Sequence, residues 1–441
     1  TGLTLEATTG VLRGQITTPG LYRIPLQVTN SHGSTTGLLR LEIADRAGAP
    51  LPPMGWNSWN AYGWHIDAAT IQANARALVA HGLHRYGYRY CNIDDGWQGT
   101  RRADTAIPWA LQANDGFADL PGLVAEIHAA GCLVGIYSVA CTYSPQGLMG
   151  GSGDRPDGTS TAPFQHGRTR PIGSHTFFAE DVRQWMDWDI DFVKWDVGPP
   201  PAVFATCART IAEGPRDLVL SYSANIPLTR LPEYRGLVQL WRTTGDLIDT
   251  WPSVRNKLYS QVRFAGQGGP DGWSDCDMLV VGVVGPGWNG EPQPSRLSWR
   301  EQALHIGLWN FLASPLLIGC DLTRLDASTR DLLTRPGLIE LNQDGLGAPA
   351  TPVLVDRTSG RMLWTRPLEN SDLALALVNL GEEDLLFTID PADFGRGPLA
   401  GISDCWTEER VDLPQDGKLA IRLAPHDHRI YRLTWLSSLS L

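Results

Sequence analysis

The chain has 441 residues, 42% hydrophobic and 19% charged, with 47 acidic against 36 basic side chains and a net charge of −11. That length allows one large domain with smaller companions and a sizeable core. The acidic balance argues against nucleic acid or an anionic membrane as partner, and no apolar run is long enough to span a bilayer.

Residues 1–46 are expected to form a small antiparallel sheet. Val, Leu and Ile alternate in LTLEATTGVLRGQI and GLYRIPLQVTNSHGSTTGLLRLEIA, broken by Pro-Gly and Asn-Ser-His-Gly turns. About 45 residues is marginal for an independent core, so the piece should lean on a neighbour. Its GLTL, TG.L.G, G.Y and TN..G pattern resembles the latter half of bacterial immunoglobulin-like modules. The resemblance implies that the early strands of such a module are missing and that the chain begins inside it.

From 51 to 344 short apolar strands alternate with amphipathic helical stretches: YGYRYCNID, CLVGIYS, DFVKWD, DLVLSYS, GLVQLWRTTGD and finally HIGLWNFLASPLLIGCD. Repeated strand–helix units of this kind build either a closed eight-stranded barrel or an open doubly wound sheet. No glycine-rich dinucleotide fingerprint follows a strand, which weakens the open sheet. Polar residues sit at many strand exits: Asp94-Asp95, Tyr137, Lys194 and Asp196, Ser223, Arg242 and Asp246. A (β/α)8 TIM barrel gathers those ends on one rim, and the fold class is therefore expected to be α/β. Residues 345–441 return to alternating strands with Asn-Leu-Gly and Gln-Asp-Gly turns, which indicates a C-terminal antiparallel β-sandwich.

One segment stands apart. Residues 142–174 are rich in Gly, Ser, Thr and Pro and lack any periodicity. A loop of that length inside a compact domain tends to be functional or disordered. Following the third strand, it should lie on the catalytic rim and either shape leaving-group subsites or mediate a subunit contact; the sequence leaves both open, along with oligomeric state.

Cysteine and tryptophan usage discriminates less. Seven cysteines, at 91, 132, 141, 207, 276, 320 and 405, fit no metal pattern. A Cys132–Cys141 bridge and buried thiols are equally compatible with the spacing. The 17 tryptophans suit either sugar faces or a core. The sequence opens on Thr1 rather than methionine, so the lack of a leader at this end carries no information about compartment.

The chemistry is carried by carboxylates. The stretch DFVKWDVGPP ends on Lys194 and Asp196, which share one face of a strand because side chains alternate. Further carboxylates occur in CNIDDGW, in WRTTGDLID and, as Asp277, in WSDCDMLV. Zinc, P-loop and nucleophilic-serine motifs are missing, so neither metal nor cofactor is expected. Paired carboxylates of this kind suit glycoside hydrolysis. Asp196 is the expected nucleophile, with Lys194 nearby to keep it ionised. Asp246, beyond Thr-Thr-Gly on a loop, is the expected acid/base.

At these residues the chain resembles glycoside hydrolase family 27, which holds α-galactosidases and α-N-acetylgalactosaminidases. PPMGWNSWNAYG, NIDDGWQG, FVKWDVG, WRTTGDLIDTW and WSDCDML occur in the family's order, over roughly 51–441. The resemblance implies Asp196 as nucleophile and Asp246 as acid/base, with Asp94 and Asp95 on the 4- and 6-hydroxyls of galactose. Lys194 and Arg242 then hold neighbouring hydroxyls, Trp56 lines the pocket, and Asp277 belongs to the same rim. Tyr137, Ser223 and Asn225 are further expected contacts. Two departures stand out. LSYSANIPL replaces the family's Cys-Glu-Trp or small Ser and Ala after strand five. Val197-Gly198 stands where the family has a cysteine after the nucleophile, so the usual disulfide to the preceding loop cannot form.

The activity implied is that of a retaining exo-α-galactosidase acting on galactosyl oligosaccharides or polysaccharides, secreted or periplasmic. Small Ala224 leaves an N-acetyl-α-galactosaminide open as substrate, and tolerance at Asp94-Asp95 would decide a β-L-arabinopyranoside. A non-catalytic sugar-binding barrel is the alternative of another class. Against it stands the presence of both aspartates with their charged companions.

Overall fold

The computed structural model describes residues 2–18, 20–31, 33–43, 49–166, 171–285, 292–394 and 397–436. At the N-terminus lie two antiparallel hairpins. Leu3–Glu6 pairs with Val11–Gly14, and Gly20–Asn30 pairs with Gly33–Ile43. Leu5, Val11 and Val28 are exposed, as expected for a piece too small to close a core of its own.

Eight parallel strands then form the main sheet: β1 (Met54–Asn57), β2 (Tyr90–Ile93), β3 (Leu133–Val139), β4 (Phe192–Asp196), β5 (Val219–Tyr222), β6 (Leu240–Arg242), β7 (Trp273–Asp275) and β8 (Leu316–Ile318). They run in the order β7-β6-β5-β4-β3-β2-β1-β8. The ring closes just past β7, where Leu279 N–H donates to Leu317 O at 2.8 Å and Gly319 N–H to Leu279 O at 2.9 Å. The result is the expected TIM barrel.

Alternation along the strands sets up two cores. Phe192, Val219 and Leu240 pack with Tyr90 inside the ring as a floor. Space there is tight: a side chain at Gly135 would stand 1.9 Å from Asn92 Oδ1, so only glycine fits. The opposite strand faces pack under the helices, where Trp195 meets Trp185, Phe178 and Phe204 edge-on. Trp56, Trp97, Trp185, Trp195, Trp241, Trp273 and Trp309 are all fully buried, so much of the tryptophan content is structural. Cys132 remains a thiol lying against the Cys91 thiol rather than bridging to Cys141. Cys91 lies on β2 and Cys132 just ahead of the neighbouring β3, and that adjacency was not apparent from their spacing.

The C-terminal part is a two-layer antiparallel sandwich. A five-stranded sheet runs through Thr351–Asp356, Arg361–Pro367, Leu373–Asn379, Asp427–Trp435 and Leu399–Asp404; a second layer pairs Leu385–Ile389 with Leu419–Leu423. Leu373, Leu375 and Leu377 face the sandwich core, while Ala374, Ala376 and Val378 join the core shared with the barrel. The central strand is therefore apolar on both faces, and this welds the two parts together. Among the described residues no helix is long and apolar enough to cross a membrane.

The long segment after β3 is anchored at its base by a buried ion pair. Arg101 makes two bonds to Asp181 and donates to Gly150 O at 2.7 Å, and both side chains are fully buried. Removing one partner strands a charge in the interior. Asp181→Ala is expected to lower unfolding free energy by about 3–5 kcal/mol, read from denaturant midpoints. A loss below about 1 kcal/mol would show that Arg101 finds water instead.

Candidate active site

Asp196 is held from two sides. Tyr137, across the ladder on β3, donates its hydroxyl to Oδ2 at 3.0 Å, and the Val197 N–H donates to Oδ1 at 2.7 Å. Lys194 shares the inward face, as alternation requires, yet its direct partner is not Asp196. Its Nζ bonds Asp94 Oδ2 at 2.7 Å, where Asn57 also donates at 2.8 Å. Burial works against the Lys194 charge, but the fields of Asp94 and Asp196 outweigh it and raise its pKa. For Asp196 burial dominates over Lys194 and the pKa is raised. Lys194 acts in the expected direction, lowering the Asp196 pKa, but burial is the larger effect.

Asp246 faces the same space from the loop after β6 and is 69% exposed. Arg242, buried below it, donates to Asp246 Oδ1 at 3.2 Å and to Asp277 Oδ2 at 2.9 Å. Asp277 also accepts the Leu247 N–H at 2.6 Å, so it ties the Asp246 loop to the barrel rather than merely edging the rim. Partial burial raises the Asp246 pKa, but the Arg242 charge overrides it and the carboxyl lies below its ordinary range. Behind this cluster, burial pushes Asp275 up to about 6 and Lys257 down to about 8.

A cavity of about 360 Å³ opens over these groups, lined by Asp94, Tyr137, Lys194, Asp196, Asp246 and Asp277 among others. Arg242 and Ser223 lie beneath it, 3.4 Å apart. Asp95 is buried beside Gln98 and Ser144, and burial pushes its carboxyl up to about 7. Five expected residues do not line this cavity: the buried Asp95, Ser223 and Arg242, together with Trp56 and Asn225. Trp56 points outward, pairs with Cys91 in the ladder and donates Nε1–H to Cys320 O at 2.8 Å. Because Asn57 faces inward to Asp94, its neighbour must face out. Asn225 is exposed and off the wall. In place of Trp56 the wall carries Trp59 and Trp64. Trp59 lies in the same GWNSWN stretch, so the motif held the right residue three positions along. Gln146 and His166 also line the cavity and come from the 142–174 segment, whose residues 167–170 lie outside the described residues. Among the described residues no group of His, Cys, Asp and Glu is arranged to hold a metal.

The alpha galactosidase A family model matches residues 167–344, and the model for the alpha galactosidase C-terminal beta sandwich domain matches 358–433. An α-galactosidase of Coffea arabica is 30% identical over 87% of this chain and 93% of its own. Alpha-galactosidase A of Cellvibrio japonicus is 30% identical over 78% and 79%. The chain belongs to glycoside hydrolase family 27. Among solved structures, a Bacteroides fragilis protein provisionally assigned as an α-galactosidase superposes with a TM-score of 0.81 at 25% identity, covering 99% of this chain and 90% of its own. Alpha-galactosidase I of Mortierella vinacea gives 0.73 at 23% identity, over 89% and 99%.

Membership in family 27 makes this a glycoside hydrolase and sharpens the departure after Asp196. Val197 takes a φ of 62°, a left-handed conformation that a β-branched residue adopts only under strain. It is held there by packing against Tyr137, Val139 and Cys141 and by the N–H it gives Asp196. Asparagine tolerates this region far better, so Val197→Asn is expected to gain about 1 kcal/mol in unfolding free energy. A lower melting temperature in that variant would show that valine packing outweighs the strain.

Asp95 supplies a pH signature. A carboxyl whose folded pKa is raised contributes stability that is present below its unfolded value and lost as pH climbs to the folded one. The window runs from 3.8 to about 7. Asp95→Asn should therefore improve in melting temperature relative to wild type between pH 4 and pH 7.5. A difference that does not change with pH would remove Asp95 as the titrating group.

Proposed function

We propose that this protein is a retaining, exo-acting α-galactosidase that releases terminal α-D-galactosyl residues by double displacement. The observation that carries the reading is one cavity, floored by the barrel core, in which a rigidly held strand carboxylate faces a loop carboxylate. In the first step Asp196 attacks the anomeric carbon while Asp246 gives its proton to the glycosidic oxygen, and the leaving group departs as an alcohol. In the second, Asp246 takes a proton from water, whose oxygen attacks the same carbon and frees Asp196. Two inversions leave the product in the α configuration. Asp94 and Asp95 receive the 4- and 6-hydroxyls, and Lys194 and Arg242 hold the neighbouring ones. A floored pocket admits a chain end and not a chain middle, which supports exo action.

Burial raises the Asp196 pKa and the Arg242 charge lowers that of Asp246, each opposite in direction to what the first step needs. A bound sugar that shields Asp246 from water raises its pKa and favours the protonated acid that the first step needs. The kcat/KM profile should be bell-shaped, with both limbs belonging to the pair. The compartment proposed is outside the cytoplasm, secreted or periplasmic. It rests on the resemblance of the N-terminal hairpins to modules of exported enzymes and on where such substrates are met.

Asp196→Ala should abolish turnover while galactose binding, measured by calorimetry, persists. Asp246→Ala should lose the alkaline limb and about 10²–10⁴-fold in rate on glycosides with poor leaving groups, with a much smaller loss on activated aryl glycosides. An unchanged alkaline limb together with equal losses on both substrate types would exclude Asp246 as acid/base. Galactose binding without hydrolysis by wild type would favour a sugar-binding protein.

A further inference from the structure

The 142–166 part of the long segment forms an ordered wall of the cavity. Ser144 organises its first turn: the Ser144 N–H donates to Leu148 O at 2.8 Å, and Ser144 Oγ accepts from Gln146 N at 3.2 Å and Leu148 N at 3.3 Å. The second half folds back onto it. Phe164 meets Tyr143 edge-on at 5.9 Å and lies near His166 at 6.2 Å. Gly147 leaves no room for a side chain beneath the Phe164 ring, since a Cβ there would come within 2.9 Å of it. These contacts bring Gln146 and His166, which lie twenty positions apart, to one side of the cavity, with Trp64 of the loop after β1 also on its wall.

Depth in the cavity separates the lining into two groups. Asp94 and Tyr137 are buried at the strand ends, whereas His166 is exposed and Gln146 and Trp64 are half-buried on loops. An exo-acting enzyme places the terminal ring at the bottom and the bond to be broken toward the mouth. The outer group therefore meets whatever departs. It offers an amide, an imidazole and an indole plane, groups that hydrogen-bond to and stack on a neutral hydroxylated ring.

We propose that Gln146 and His166, with Trp64, form a leaving-group subsite for one neutral pyranosyl unit, hydrogen-bonding its hydroxyls so that disaccharide ends are preferred over galactosides lacking that ring. The proposal rests on the α-galactosidase reading. Its test compares kcat/KM for galactosyl-α-1,6-glucose with that for α-galactosyl fluoride, whose leaving group has no ring, in wild type and in the double variant Gln146→Ala/His166→Ala. The disaccharide-to-fluoride ratio is expected to fall about tenfold, the worth of two ordinary hydrogen bonds. Both rates come from one preparation, so loss of folded enzyme cancels. A ratio within twofold of wild type overturns the subsite while leaving the galactosidase reading intact. A wild-type protein that cleaves neither substrate overturns both.

Discussion

The rest of the site depends on the buried pair between Asp94 and Lys194. Their side chains are 1% and 12% exposed, so each charge has lost most of its water and is tolerable only with close partners. Asn57 donates to the same Asp94 oxygen, and the Asp95 N–H donates to the other at 2.9 Å. The pair bridges β2 and β4 across β3, and Tyr137 is caught between them, with the ammonium 5.4 Å from its ring. That placement delivers the Tyr137 hydroxyl to Asp196. A charge pair one residue removed from the reacting carboxylate thus orients it, and the proximity of Lys194 to Asp196 in sequence hides this indirect route.

The opposite wall is built differently. Arg242 is clamped by Asp277, which also fixes the Leu247 N–H, but Asp246 stands out into solvent with a single long contact to the guanidinium. The contrast has a chemical logic. A nucleophile must present one oxygen along one line to the anomeric carbon, so immobility helps it. An acid/base must gain and lose a proton within one cycle, so its charge partners have to be weak enough to be altered by the substrate. Burial of a sugar against exposed Asp246 changes its solvation more than that of Asp196, which is already partly buried.

Much of the architecture was legible because it follows from local periodicity. The strand–helix alternation, the polar residues at strand exits and the sandwich after residue 345 all rest on repeating patterns that a single chain displays. The shared face of Lys194 and Asp196 came from the same rule. Trp56 shows where the rule stops. Alternation says that Trp56 and Asn57 point to opposite sides of a four-residue strand, but not which side is the barrel interior; that phase is set by Asn57 meeting Asp94 from the neighbouring strand. Gln146 and His166 were beyond reach for another reason. Their segment has no period, and its turn is decided by Phe164 folding back over Gly147.

The sequence by itself determined the kinds of group at the site, the strands that carry them and their spacing along each strand, because these are properties of near neighbours in the chain. Only the tertiary structure decided which partner each charge takes and in which direction each carboxyl's pKa moves. Lys194 chooses Asp94, a hundred residues away, over Asp196, two away. Arg242 lowers the Asp246 pKa while burial raises that of Asp196. Coulomb energies and desolvation depend on distance and exposure in space, and neither is written in the order of the residues.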